Sequence, residues 1–175
     1  MSPPRSFWLS ALRRYFSVVV VGNLAWEFAH MPLYTIWWTG TWSEIVFAAV
    51  HCTGGDVLIA LSSLMLALFA VGNGAWPAER ARLVAAVTIM LGVAYTMFSE
   101  WLNIVIRAAW AYSDLMPVIS VLNFDVGLSP FLQWIVVPLA AFWLMASPLG
   151  LGSDATGGRH GPHVHETCLE QRLLI

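Results

Sequence analysis

The sequence predicts an all-α integral membrane protein, a four-helix bundle with an interfacial or re-entrant segment between helices three and four. Of the 175 residues, 59% are hydrophobic and only 10% are charged, and lysine is absent. Soluble domains carry about 25% charged residues. Four apolar stretches each have about 20 residues, the length needed to cross a bilayer as a helix. The net charge of −2 gives no reason to expect nucleic-acid binding.

The first predicted span covers residues 15–38 and the second covers residues 45–71. The first is about 24 residues long, which fits a tilted membrane helix. It does not fit a signal peptide, because it is too long, contains Glu27 and His30, and lacks a small-residue cleavage site. The second span has a polar, glycine-rich outer part, HCTGGDV. It ends before GNGAWPAERAR, a turn rich in glycine, proline and charges.

The third span covers residues 83–106, and the fourth covers residues 130–149 with Pro138 inside it. A proline kink is tolerated in a membrane because neighbouring helices satisfy the freed backbone groups. Residues 108–129, between these spans, are apolar but are interrupted by Asp114, Pro117, Asn123 and Asp125. This stretch is too short and too broken for a fifth span. We therefore expect an interfacial helix or a loop that folds back over the bundle, with a re-entrant segment as the alternative.

Arginine sets the predicted orientation. Arg107 alone follows the third span, whereas all other arginines lie at the opposite ends of the spans: Arg5, Arg13, Arg14, Arg80, Arg82, Arg159 and Arg172. Because positive residues concentrate on the cytoplasmic side, both termini are expected in the cytoplasm. The chain is thus predicted to be a multi-pass protein of a cell's inner or plasma membrane. Residues 1–150 form the transmembrane domain and residues 151–175 a flexible polar tail.

Polar side chains in the first three spans lie at a similar predicted depth: Glu27, His30, His51, Asp56, Glu100 and Asn103. At about 1.5 Å per residue, all lie within roughly 5–17 Å of the outer boundary. Ionisable groups are costly inside a bilayer, so each needs a partner or a purpose. Their convergence on one level predicts a polar pocket in the outer leaflet half.

Two helices carry polar stripes with the spacing i, i+4, i+7, i+11, which lies along one helix face. The stripes are Asn23, Glu27, His30 and Tyr34 on the first span, and Thr96, Glu100, Asn103 and Arg107 on the third. Neither stripe can face lipid, so we expect the two to face each other across the bundle. On the second span, His51 and Asp56 are about 140° apart around an ideal helix. Gly54 and Gly55 between them permit a distortion or a close helix approach.

The predicted site has four candidate catalytic residues, Glu27, His30, His51 and Glu100. The candidate binding residues around them are Asn23, Tyr34, Asp56, Tyr95, Trp101, Asn103, Arg107 and Gln133. Buried carboxyl groups favour their neutral form, and a nearby imidazole can share a proton with them. This combination suits isomerisation, hydration or hydrolysis of a small apolar molecule.

Two other interpretations stay open. Glu27 and His30 have the Glu-x-x-His spacing of di-iron carboxylate bundles, His51 and Glu100 could add ligands, and a haem could lie between His30 and His51. Alternatively, the polar groups hold the helices together in a non-enzymatic assembly or accessory subunit, with Glu27 paired to Arg107 or Glu100 to His51. Ion or proton transport would need an oligomer. The sequence names no cofactor. The predicted partners are the lipid bilayer and a small apolar ligand.

Overall fold

The computed structural model describes residues 5–121 and 124–146. Its α-helices are α1 (Arg5–His30), α2 (Ile36–Thr39), α3 (Trp42–Val71), α4 (Ala81–Glu100) and α5 (Leu128–Ala146). A 3-10 turn, Met31–Leu33, follows α1, and a π-helical segment, Trp101–Ile106, continues α4. Two strands, β1 (Val118–Val121) and β2 (Phe124–Gly127), precede α5. The predicted tail, residues 151–175, lies outside the described residues.

Four helical segments are long and apolar enough to cross a membrane: Trp8–Leu33, Trp42–Val71, Ala81–Ile106 and Leu128–Ala146. The prediction of a mainly helical chain with four such segments is therefore confirmed. Each long helix packs on two others, so the order around the bundle is α1, α3, α4, α5. The short turn between α3 and α4 places these two helices antiparallel.

One half of the bundle, which we call the closed half, is a packed apolar core. It contains the turn between α3 and α4 and the ends of the long helices next to that turn. Every long helix contributes to it, and its fully buried side chains include Tyr15, Leu64, Trp76, Val84 and Ala141. Trp76 comes from the turn itself, and its ring lies 4.9 Å from that of Trp8. Interiors packed in this way are destabilised by the loss of even single methylene groups.

Gly92 lets α4 approach α5 near the middle of the bundle. A Cβ atom at Gly92 would lie 2.2 Å from Cε3 of Trp134, which is too close for any residue other than glycine. Small residues allow such close contacts between apolar helices. Because Trp134 is only 3% exposed, this contact also fixes its neighbour Gln133, which points into the other half of the bundle.

The first span ends earlier than predicted. The α-helix stops at His30, Met31–Leu33 forms a 3-10 turn that contains Pro32, and α2 resumes only at Ile36. The prediction of a continuous helix to Trp38 is therefore wrong in its last turns. The cause is Pro32, because a proline disfavours the α conformation of the preceding residue and lacks an N–H for the helix.

The segment between the third and fourth spans contains a β-hairpin, so the prediction of an interfacial helix there is wrong. Val118 pairs with Gly127, and Val121 pairs with Phe124. The alternative of a loop that folds back over the bundle matches the structure. The Thr35 N–H donates to the Ala111 carbonyl at 3.0 Å, and Tyr34 and Tyr112 form an antiparallel bridge. A strand forms here because Val118, Ile119 and Val121 are β-branched residues, which favour strands.

Candidate functional site

The half of the bundle opposite the closed half, which we call the polar half, contains a partly open cavity of about 1110 Å³. It lies between the last turns of α1, the first half of α3, the end of α4 with its π-helical segment, and the first turns of α5. Ten of the twelve predicted site residues line it: Glu27, His30, Tyr34, His51, Asp56, Tyr95, Glu100, Asn103, Arg107 and Gln133. The two polar stripes on α1 and α4 thus reach one interior space.

Gln133 joins three helices through its side-chain amide. Its Nε2 atom lies 3.0 Å from each of three oxygens: Asn23 Oδ1, Glu27 Oε1 and Asp56 Oδ2. The Asn23 amide donates in turn to the Val19 carbonyl at 2.9 Å, which fixes its oxygen as an acceptor. A primary amide has two hydrogens, so it cannot satisfy three acceptors alone. One of the three contacts therefore needs a hydrogen from another group.

His30 continues this network at the end of α1. Its Nε2 atom lies 3.1 Å from Glu27 Oε2, and its Nδ1 atom lies 3.1 Å from Ser129 Oγ. The Trp26 indole N–H donates to the same Ser129 oxygen at 3.2 Å. Because an indole N–H only donates, the serine hydroxyl hydrogen remains free to face the imidazole. Glu27 and His30 are both about 95% buried, so the imidazole is held in one orientation between a carboxyl group and a hydroxyl.

Glu100 belongs to a second network on the opposite wall. The Tyr112 hydroxyl donates to the Glu100 carboxyl and accepts a hydrogen bond of 2.8 Å from the Gly127 N–H. A side chain at position 127 would crowd this contact, since a Cβ would lie 3.0 Å from the Tyr112 ring. Tyr112 therefore ties the hairpin to α4.

Two tyrosines outside the spans link the networks. The Tyr34 ring lies 5.3 Å from the His30 ring and 5.6 Å from the Tyr112 ring. Burial raises the pKa of both phenols above the ordinary value, and the nearby Glu100 carboxylate raises the pKa of each further. Both tyrosines therefore stay neutral at physiological pH and act as hydrogen-bonding groups rather than as anions.

The remaining predicted residues differ in their surroundings. Asp56 is central, despite its unfavourable angle to His51, whereas His51 lies exposed at the rim, stacked on Phe47 with ring centroids 5.5 Å apart. Asn23 is buried behind the cavity wall and acts through Gln133. Trp101 is 39% exposed and does not line the cavity. His51 joins neither hydrogen-bond network in the part of the chain that the structure describes.

The donor set around His30 does not favour a metal ion. Both ring nitrogens of His30 are taken by Glu27 and Ser129. Among residues 5–121 and 124–146, no three histidine, cysteine, aspartate or glutamate side chains are arranged to hold a metal ion. The alternative ion pairs of the sequence interpretation do not form there either, because Glu27 binds His30 and Gln133, and Glu100 binds Tyr112.

Sequence reasoning missed Ser129, Tyr112, Trp26 and Gly127. Ser129 and Tyr112 lie outside the helical stripes, in a segment whose hairpin was not predicted. A signal for the hairpin exists: two short strand-forming stretches, VISV and FDVG, are separated by only two residues. No pattern of helical spacing brings Tyr112 to Glu100 or Ser129 to His30.

Comparison of the chain with protein-family models, curated proteins and solved structures finds no match. The geometry of the polar half is therefore the basis for any functional conclusion.

Proposed function

We propose that the chain is a multi-pass membrane protein that binds a small apolar molecule in the polar-half cavity and exchanges protons with it through Glu27 and His30. The observation that carries this proposal is the cavity itself. A space of about 1110 Å³ exceeds the usual range for small-molecule sites, which is roughly 300–1,000 Å³. Its wall combines apolar side chains with a few hydrogen-bonded polar groups, as such sites do.

The rim offers a route from the lipid. Phe47 and Leu58 on α3 and Tyr95 on α4 line the cavity while remaining 69%, 67% and 50% exposed. An apolar molecule dissolved in the bilayer can therefore enter sideways between these two helices, without passing through water. The closed half seals the other end.

The proton chemistry rests on the coupling of Glu27, His30 and Asp56. Two carboxyl groups share the Gln133 amide, and the imidazole contacts one of them. A proton that moves from Asp56 through Glu27 to His30 changes only the charges of groups that are already in contact. Catalytic pairs of this kind serve as general acid and general base, which suits isomerisation or hydration of an apolar molecule.

The orientation of the site follows from arginine, with both termini in the cytoplasm and the cavity in the outer half of a cell's inner or plasma membrane. Single cysteines at Ser43 and Ala78, in a chain whose Cys52 and Cys168 are replaced, test this with an impermeant thiol reagent. We expect labelling at position 43 from outside intact cells and protection at position 78. Labelling at position 78 from outside would reverse the orientation.

The ligand itself can be tested with a matched pair of glycine variants. Gly55 lines the cavity, its neighbour Gly54 does not, and an added Cβ at either meets nothing within 4 Å. We expect Gly55→Leu to place an isobutyl group in the cavity next to Asp56 and Gly54→Leu to leave the cavity unchanged. Organic extraction and mass spectrometry of the purified chains should find a co-purifying small molecule in wild type and Gly54→Leu, and much less in Gly55→Leu. Equal amounts in all three would refute the cavity as its site.

A structural role is the second candidate, because the polar residues of the network already satisfy one another. An accessory subunit would need these hydrogen bonds only to hold α1, α3 and α5 together, at about 0.6 kcal/mol each. In that case the cavity would have no ligand of its own.

A further inference from the structure

Ser129, His30 and Glu27 form a continuous line of hydrogen bonds. Ser129 Oγ lies 3.1 Å from His30 Nδ1, and His30 Nε2 lies 3.1 Å from Glu27 Oε2. The other carboxyl oxygen of Glu27 accepts from Gln133 at 3.0 Å. A hydroxyl in contact with a base, which a third group orients, is the arrangement that activates a serine nucleophile. It is recognised by geometry, whatever the order along the chain.

The proton positions fit this role. Trp26 must donate to Ser129 Oγ, so the serine hydroxyl hydrogen is available for His30 Nδ1. His30 Nε2 then carries the hydrogen that faces Glu27. In this tautomer the imidazole can accept the serine proton while Glu27, held by Gln133, stabilises the imidazolium.

The position of Ser129 suits an ester of a membrane lipid. Ser129 is the second residue of α5, at the end of the span Leu128–Ala146, and it is partly exposed. The ends of membrane helices lie at the boundary between hydrocarbon and headgroups, where the ester groups of lipids also lie and water is present. Ser129 does not line the cavity, but its two neighbours His30 and Pro130 do. An acyl chain in the cavity can thus reach Ser129 past these residues.

We propose that Ser129 is the nucleophile of an acyl-transfer site, with His30 as its base and Glu27 as the group that orients His30, acting on a lipid ester. The inference rests on the proposed function in one respect, since the cavity would hold the acyl chain. Ser129 Oγ bonds to the ester carbonyl carbon while His30 takes its proton. The ester C–O bond breaks, and the leaving alcohol takes that proton from His30. Water then attacks the acyl carbon of the acyl-serine while His30 takes a proton from that water. The bond between Ser129 Oγ and the acyl carbon breaks, Ser129 Oγ takes the proton from His30, and a carboxylic acid leaves.

The test is covalent labelling of the full chain in detergent with a fluorophosphonate that carries a fluorophore. We expect one adduct, mapped by peptide mass spectrometry to Ser129 in the wild-type protein. Ser129→Ala should abolish labelling, and His30→Asn should slow it at least about a hundred-fold. Ser120→Ala is the matched control, because Ser120 is exposed, does not line the cavity and bonds Asp125 on the hairpin. Its labelling should equal that of wild type.

Each outcome decides one proposal. An unlabelled wild-type chain, or an adduct on any other residue, overturns the nucleophile, whatever the stability of the variants. If labelling is absent while the Gly55→Leu variant still loses a co-purifying molecule, the ligand cavity stands and only the acyl-transfer site falls. If Ser129 is labelled but wild type and Gly55→Leu carry no molecule, the acyl-transfer site stands without the cavity.

Discussion

The two halves of the bundle are built from the same four helices but from different side chains. In the closed half, Tyr15, Leu64 and Val84 are essentially inaccessible and fill the interior. In the polar half, Glu27, Gln133 and their neighbours are equally buried but surround a cavity. Apolar packing gives stability directly, whereas buried polar groups must first offset their desolvation. The closed half therefore holds the bundle together, which allows the polar half to keep an open, ionisable interior.

The largest loss of stability is expected when a buried side chain of the closed half is truncated. Leu64→Ala should lower the free energy of unfolding by about 2–4 kcal/mol, because Leu64 is 1% exposed and its removal leaves a cavity. Leu58→Ala, the same change on a residue of α3 that is 67% exposed, is the control and should cost far less. Unfolding in detergent measures both. Similar losses for the two variants would show that the closed half is not the stabilising core.

The second-largest change in stability is expected at the contact between α4 and α5, which lies between the two halves. Gly92→Ala places a Cβ against Trp134 and should destabilise the chain by about 1–3 kcal/mol, because the backbone or the indole must move. Gly54→Ala should instead stabilise it by roughly 0.5–1 kcal/mol, since alanine has the higher helix propensity and open space surrounds this site. Melting temperatures that shift in the same direction would contradict this packing.

Tyr112 tests how the hairpin is fastened over the polar half. Tyr112→Phe keeps the ring but removes the hydroxyl that binds Glu100 and Gly127. We expect a loss of about 1–2 kcal/mol and faster hydrogen exchange at the Gly127 amide. Ser120→Ala, which removes a hydroxyl bonded to Asp125 on the exposed hairpin, should leave the exchange at Gly127 unchanged. Unchanged exchange in Tyr112→Phe would mean that the hairpin is held by other contacts.

The smallest expected effect is on alkaline stability. The pKa of Tyr112 and of Tyr34 is raised in the folded chain above the ordinary value of 10.0, first by burial. The unfolded chain then loses these protons before the folded chain does, so stability is full below about pH 10 and falls as the pH rises further. Tyr112→Phe should flatten the decline of melting temperature above pH 10 relative to wild type. An equal slope in both chains would exclude a role for the buried phenol.

The positions of the four spans could be predicted from sequence because hydropathy and length nearly determine a membrane helix. The stripes on α1 and α4 were predictable for a similar reason, since helical spacing fixes which side chains share a face. The early end of α1 was encoded by Pro32 but was outweighed by the apolar residues after it. The hairpin and its contacts depend on how residues 108–121 and 124–127 fold back, which helical periodicity does not describe.

The site residues that could be predicted lie mainly on the long helices. Glu27, His30, Glu100 and Gln133 were found because each is a polar residue in an apolar span. Their partners Ser129 and Tyr112 were not, because both lie at the border of irregular structure, where a serine or a tyrosine is ordinary. The geometry of the site thus depends on tertiary contacts that no residue pattern reports.

The most direct test of the account compares stability with ligand content in Glu27→Gln, with His51→Asn and Glu100→Gln beside it. An amide at position 27 keeps an acceptor oxygen for Gln133, can donate to His30 in its other tautomer and removes a buried ionisable group, so stability should stay equal or rise. If the polar half binds or transforms a ligand, the melting temperature of Glu27→Gln should be no lower than that of wild type. The variant should nevertheless lose the co-purifying molecule, or lose the activity measured on that molecule. A variant that keeps both its ligand and its activity would contradict the account and leave the polar half as structural support.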